Sequence, residues 1–317
     1  MSGAAVPGPR VDSWRERLTD AEYAAAWKLV GAVPAGLGRR AFERGADLIA
    51  RRGGAGPGRL RANLARVVPE ASPAELDRLV RDGLRSYARY WHEAFRLPAT
   101  DPVAVHAATR AWNTGPFHRA IAAGRGVIFA LPHSGNWDAA GVWLVEELRG
   151  LGHEPAFTTV AQRLRPESLY RRFVGYRESL GFEVVAAEDG AAAHRALTRR
   201  LRGGGVVCLL VERDFTASGV PVEFFGERAR FPAGPARLAA LTGALLLPAF
   251  PGFTPTGWTV EMAEPVAVPD RSAVPAALQA EADALAAMIR ARPWDWHALQ
   301  PVWSADRQAA PAERVAG

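Results

Sequence analysis

The sequence predicts an α/β fold: a mostly parallel central sheet flanked by helices on both faces, preceded by a helical N-terminal region. Three observations predict it. From Gly124 onward, short β-branched runs alternate with helical stretches. The strand segments are apolar almost throughout, as strands buried on both faces must be. Helical signals dominate the first third of the chain.

Taken in order, residues 1–66 form a basic segment, and the stretch "RRGGAGPGR" reads as a flexible loop. In "SPAELDRLVRDGLRSYARYWHEAFRL", Ser72 is a helix N-cap, Pro73 takes the first helical position and Glu75 closes a capping box. Leu76, Leu79, Val80, Leu84, Tyr87, Tyr90, Trp91 and Phe95 recur at helical spacing, an apolar face for core packing or for a lipid groove. Strands follow at "GVIFALP", "EPAFTTVA", "FEVVAA" and "GVVCLLVE", with helices over 136–149, 166–180 and 190–202 between them. "GALLLPAFPGF" and "WTVEMAEPV" complete the strands, and a helix closes the fold at about 275–292. The expected division is a basic amphipathic region at 1–100, an α/β core at 101–305 and a flexible tail at 306–317.

Charge is concentrated at the start of the chain. Residues 1–66 hold eleven Arg, Lys28 and six acids, a difference of +6 that equals the net charge of the whole chain. Trp14, Tyr23, Trp27, Leu29, Val30, Val33, Leu37, Phe42 and Ile49 are interleaved with these basic residues. That mixture suits an anionic membrane surface, and equally an amphipathic helix packed on its own domain. No nucleic-acid motif accompanies it, so a nucleic-acid partner is not expected. The longest apolar run, "LAALTGALLLPAFPGF", is too short to span a bilayer and contains two prolines. The N-terminus lacks the pattern of a signal peptide. A single cysteine, Cys208, excludes an internal disulfide and fits a reducing compartment. Lys28 is the only lysine, a skew toward arginine that fits a GC-rich genome.

The chemistry gathers where "VIFALPHSGNWDAAG" breaks from an apolar strand into a helix. His133 stands at the strand's C-terminal end, where open α/β sheets bind ligands, and Asp138 stands in the first helical turn. A carboxylate on one ring nitrogen would leave the other free to take a proton from a hydroxyl. Gly135 allows the tight turn, and helix-start amides are candidates to face an oxyanion. "GVVCLLVERD" ends in the same manner with Glu212, Arg213 and Asp214. If the two strands are parallel, Glu212 shares a rim with His133. There it orients the imidazole, binds an acceptor hydroxyl, or simply pairs with Arg213.

"HSGNWD", "ERDF…GVPVEFFGERARFPAGPARLA" and "RPWDWHALQPVW" together resemble the bacterial lysophospholipid acyltransferase-like family. That group includes the acyltransferases of lipid A assembly and the phosphatidylinositol mannoside acyltransferases of actinobacteria. The resemblance spans about residues 15–303. It implies a catalytic His133–Asp138 dyad with Glu212 beside it. It also implies transfer of a long-chain acyl group, palmitoyl in the expected case, from acyl-CoA to the mannose 6-hydroxyl of a phosphatidylinositol mannoside. Direct attack on the thioester needs no covalent acyl-enzyme and no cofactor. CoA phosphates would meet arginines, for which Arg171, Arg172, Arg213, Arg228 and Arg230 are the candidates. The implied location is peripheral, on the cytoplasmic face of the plasma membrane.

Other chemistries fit poorly. A serine hydrolase would need G-x-S-x-G, and none is present. The single lysine lies outside any glycine-rich loop, which excludes a Walker motif. Seven scattered histidines without H-E-x-x-H give no metal site. The competing class is a membrane-surface lipid-binding protein without catalysis. Within the enzyme class, the alternative acceptors are another glycolipid or a lysophospholipid. The sequence does not set an oligomeric state.

Overall fold

A computed structural model describes residues 30, 31, 33–163, 167–214 and 219–309. Trp14, Tyr23, Trp27, Lys28 and Leu29, part of the basis for the membrane-surface expectation, lie outside the described residues, as do 310–317 of the expected tail.

From residue 33 of the described residues onward, the leading helices are α1 Ala35–Arg52, α2 Ala55–Val67 and α3 Pro73–Ala94. The capping box of α3 forms as expected, with Ser72 and Glu75 each accepting from the other's backbone N–H. The stretch from 51 to 59 is not the loop its composition suggests. Only Gly53 and Gly54, at φ 69° and 119°, break the helices. Gly56, Pro57 and Gly58 fall in the first turn of α2, where amides lack intrahelical acceptors and proline loses no hydrogen bond. Ala46, Leu60, Leu64, Leu76, Val80 and Leu84 form a small apolar core among the three.

The remaining elements are α4 Pro102–Ala108, β1 Thr109–Trp112, α5 Gly115–Ala122, β2 Val127–Leu131, α6 Trp137–Gly150, β3 Phe157–Ala161, α7 Glu167–Ser179, β4 Phe182–Ala186 and α8 Ala191–Arg202. They are followed by β5 Val206–Leu210, β6 Val220–Phe224, β7 Glu227–Phe231, α9 Gly234–Thr242, β8 Leu245–Phe253, β9 Trp258–Met262, α10 Val274–Ala291 and α11 Ser304–Ala309. Seven strands form one sheet in the order β1-β9-β8-β2-β5-β3-β4. Every neighbouring pair is parallel except β8 and β9. The antiparallel β6–β7 hairpin stands apart from that sheet.

The apolar strands are covered on both sides. Val127 and Phe129 of β2 pack with Val206 and Cys208 of β5 beneath α6. Ile128, Ala130 and Val207 join Leu197 and Leu201 of α8, Leu238 of α9 and Leu278 and Leu285 of α10. Alternate strand residues face opposite layers, so near-continuous apolarity is required. The short β1, the β6–β7 hairpin and α9 are not foreseen from the sequence. The tail expected from 306 begins inside α11, where Asp306 accepts from Arg66 at 3.0 and 3.1 Å and pairs with Arg59 at 3.0 Å.

Candidate active site

Strands β2 and β5 pair residue for residue, from Val127 with Val206 to Leu131 with Leu210. Continued by two residues, that register places Glu212 opposite His133. The side chains meet there: His133 Nδ1 lies 2.7 Å from Glu212 Oε1, and the His133 amide donates to the same oxygen at 3.0 Å. One carboxylate oxygen thus fixes both the main chain and the ring of the histidine.

The charge states follow from the surroundings. Burial lowers the His133 pKa, with Glu212 opposing the shift and Arg213 and Arg177 adding to it. Burial would raise the Glu212 carboxyl, but His133, its hydrogen bonds and Arg213 pull it down to about 2. Near neutral pH the pair is therefore a neutral imidazole beside a carboxylate. An ionised carboxylate only accepts, so the ring proton sits on Nδ1 and Nε2 carries a lone pair.

Asp138, expected to form a dyad with His133, is not brought to the His133 ring in the structure. Its side chain is nearly inaccessible and accepts from Arg177 Nε at 3.0 Å and from the Tyr90 hydroxyl at 3.1 Å. At the second position of α6 a side chain need not follow the loop back to His133. Burial opposes the charge of Arg177, but Asp138 overrides it and holds the guanidinium above its ordinary pKa. The coupling to His133 is indirect. Tyr90 stacks on Trp137 at 4.0 Å, and Trp137 meets the His133 ring edge-on at 5.7 Å.

The loop between β2 and α6 is held by the segment after α10. The Gly135 amide donates to Asp295 O, and the His297 amide donates to His133 O, both at 2.8 Å. Ser134 Oγ donates to Pro251 O at 2.8 Å. Gly135 adopts φ 51°, and a β-carbon there would lie 2.6 Å from Gly252 Cα and Pro251 O. Only glycine fits. Beneath this strap, Ser86 Oγ lies 2.8 Å from Asp295 Oδ1 and 3.0 Å from His297 Nε2. Burial lowers the His297 pKa to about 3, so this second imidazole is neutral. The motif "RPWDWH" thus braces the loop that carries His133, a role its sequence alone did not suggest.

His133 lines a cleft of about 690 Å³ together with Tyr87, Tyr90, Trp91, Trp137 and His297. Behind it, on the α6 face of the sheet, lies a smaller cavity of about 60 Å³ walled by residues such as Phe129, Trp143, Phe157, Phe182 and Cys208. The two share Trp137, Val160, Arg177, Leu209 and Leu210 as walls. Of the candidate arginines, Arg213 lines the cleft and donates to Gln300 at 2.8 Å. Arg171, Arg172, Arg228 and Arg230 are not among its lining residues. Arg171 and Arg228 are exposed on α7 and β7. Arg177, which the sequence reading passed over, lines both cavities. Its helical position, six residues beyond Arg171, carries no signal of that role.

Residues 13–305 match the family described as bacterial lipid A biosynthesis acyltransferase. A phosphatidylinositol mannoside acyltransferase of Mycolicibacterium smegmatis is 50% identical over 291 residues, covering 92% of this chain and 93% of that protein. A protein of the same name from Mycobacterium tuberculosis is 46% identical over 309 residues, covering 96% and 95%. The chain therefore belongs to the bacterial lipid A biosynthesis acyltransferase family.

Proposed function

We propose that this acyltransferase moves a long-chain acyl group, palmitoyl in the simplest case, from acyl-CoA to the mannose 6-hydroxyl of a phosphatidylinositol mannoside. The observation that carries the reading is the buried, ionised Glu212 holding His133 with its lone pair on Nε2 at the cleft. Nε2 takes the hydroxyl proton as the oxygen attacks the thioester carbon. The tetrahedral adduct collapses with loss of the CoA thiolate, which takes the proton back from the imidazole. Glu212 stabilises the transient imidazolium. Asp138 holds the surrounding wall and does not touch the ring.

The two cavities suit the two ends of that reaction. The apolar one behind Trp137 is assigned to the start of the acyl chain, widening to accept it. The aromatic wall of Tyr87, Tyr90 and Trp91 is assigned to the sugar-bearing acceptor, since aromatic faces pack against the C–H faces of sugars. The names of the relatives point to the mannoside acceptor. Arg213 is the candidate for a phosphate that enters the cleft, and the exposed Arg171 and Arg228 for phosphates outside it.

Membrane contact is assigned to the outer face of α1, where Leu37, Leu48 and Ile49 are exposed beside Arg40, Arg44, Arg51 and Arg52. Among the described residues no helix is long and apolar enough to cross a membrane. Peripheral attachment to the anionic cytoplasmic face of the plasma membrane is consistent with both.

The test is CoA-thiol release from palmitoyl-CoA, with and without phosphatidylinositol mannoside, for wild type and His133→Ala. Acceptor-stimulated release that the substitution abolishes supports both the chemistry and the base. Release that responds to another glycolipid or a lysophospholipid overturns the acceptor. No release with any lipid favours a lipid-binding protein.

A further inference from the structure

Expulsion of a thiolate from a tetrahedral adduct requires a donor for the oxygen that becomes negative, and three amides around His133 are already committed. His133 N–H goes to Glu212, Gly135 N–H to Asp295 O and Ala139 N–H to the Asn136 side chain. The amides of His133, Gly135 and Ala139 are therefore not free to hold the oxyanion.

A different donor belongs to Trp137, a residue that lines both cavities. Its indole Nε1–H is enclosed and has no hydrogen-bond partner among the described residues. Two other indoles are satisfied: Trp258 Nε1 donates to Glu93 at 2.6 Å and Trp303 Nε1 to Phe224 O at 2.7 Å. Trp296 Nε1 also lacks a partner, but that ring belongs to the core and lines neither cavity. An enclosed donor without a partner is costly, so its presence calls for an explanation. Trp137 is set in place by the Tyr90 ring stacked on it and by edge contact with His133. It borders both the apolar cavity and the cleft. On the acyl-transfer reading, the thioester carbon sits between the two, with its alkyl chain on one side and the acceptor hydroxyl and His133 Nε2 on the other.

We propose that Trp137 is a catalytic residue whose indole N–H donates to the thioester oxygen as it becomes an oxyanion. The assignment rests on the acyl-transfer reading. In the step, the acceptor oxygen bonds to the carbonyl carbon while its proton passes to His133 Nε2. The carbonyl π pair moves onto oxygen and is held by the indole N–H. When the C–S bond breaks, that pair re-forms the carbonyl and the sulfur leaves as thiolate, to be protonated by His133.

The test replaces Trp137 with Phe and, separately, with benzothienylalanine, which keeps the bicyclic shape and has sulfur in place of N–H. Single-turnover transfer from palmitoyl-CoA should fall on the order of 10²-fold in both, with the KM for each substrate changed no more than about threefold. Wild-type turnover by the benzothienylalanine protein overturns the assignment, whatever the Phe protein does. A fall in the Phe protein alone shows that Trp137 acts through its shape, and overturns it equally. Failure of the acyl-transfer reading is distinguishable, because wild type itself would then release no CoA thiol.

Discussion

Glu212 and Glu281 are both completely buried glutamates, yet the fold keeps them in opposite charge states. Glu212 ends a strand beside an imidazole and a guanidinium, and its carboxyl is drawn down to about 2 against the cost of burial. Glu281 lies on α10 with neither oxygen hydrogen-bonded, and burial alone pushes it up to about 8. Burial by itself neutralises a carboxylate, and only a built set of partners makes it a usable charge. The rim of the sheet has those partners, and the interior face of α10 has none. Asp138 adds a third case: its partner is the guanidinium of Arg177, in the wall beside His133.

Replacing Glu212 should produce the largest change. Glu212→Gln keeps the size of the side chain but removes the charge that stabilises the imidazolium, and transfer should fall on the order of 10³-fold. The pH profile sharpens this. In wild type, burial places the acid limb of kcat/KM below the ordinary histidine value of 6.5. Since Glu212 raises the His133 pKa, its loss should move that limb to still lower pH. A limb moving upward would show that the pair is not coupled as described.

Asp138→Asn should act mainly on stability. It leaves Arg177 enclosed without its counter-charge, a loss of about 3–5 kcal/mol by denaturant unfolding. Any fall in rate should come through Tyr90 and Trp137, with the acid limb of the pH profile unmoved. Unchanged stability would mean that Asp138 and Arg177 do not depend on each other.

Glu281 gives a smaller effect of the opposite sign. Its folded pKa of about 8 lies above the ordinary 4.5, so the folded protein binds the extra proton between those values. Stability is therefore highest below pH 4.5 for this group and declines as pH rises toward 8. Glu281→Met should remove that decline and raise stability at pH 8 by about 2 kcal/mol, with little gain at pH 4.5. An equal change at both pH values would show that the carboxyl does not titrate in the folded state. The smallest effect is expected at the surface. Replacing Arg40, Arg44, Arg51 and Arg52 with Gln should weaken sedimentation with anionic vesicles and reduce its salt dependence, without loss of folding. Unchanged binding would leave α1 a purely structural helix.

Much of this arrangement is legible in the sequence. Apolar strands flanked by helical periods mark the sheet, and two strands ending in His133 and Glu212 mark its rim. What misleads is chain proximity. Asp138 is five residues from His133, but spacing does not reveal which way a first-turn side chain points. Glu212, distant in sequence, is delivered by strand register. The antiparallel turn of β9 against β8, the β6–β7 hairpin and the Asp295–His297 strap depend on contacts between distant segments. No local period announces them. Arg177 is hidden for the same reason: one arginine among several on α7, distinguished only by the carboxylate it meets.

On the proposed reading, Glu212 and not Asp138 sets the His133 proton. ¹⁵N NMR of histidine-labelled protein reads this directly, in wild type, Glu212→Gln and Asp138→Asn. The Nδ1–H tautomer of His133 is expected in wild type, retained in Asp138→Asn and lost in Glu212→Gln. Retention in Glu212→Gln with loss in Asp138→Asn would contradict it and restore Asp138 as the partner of the base.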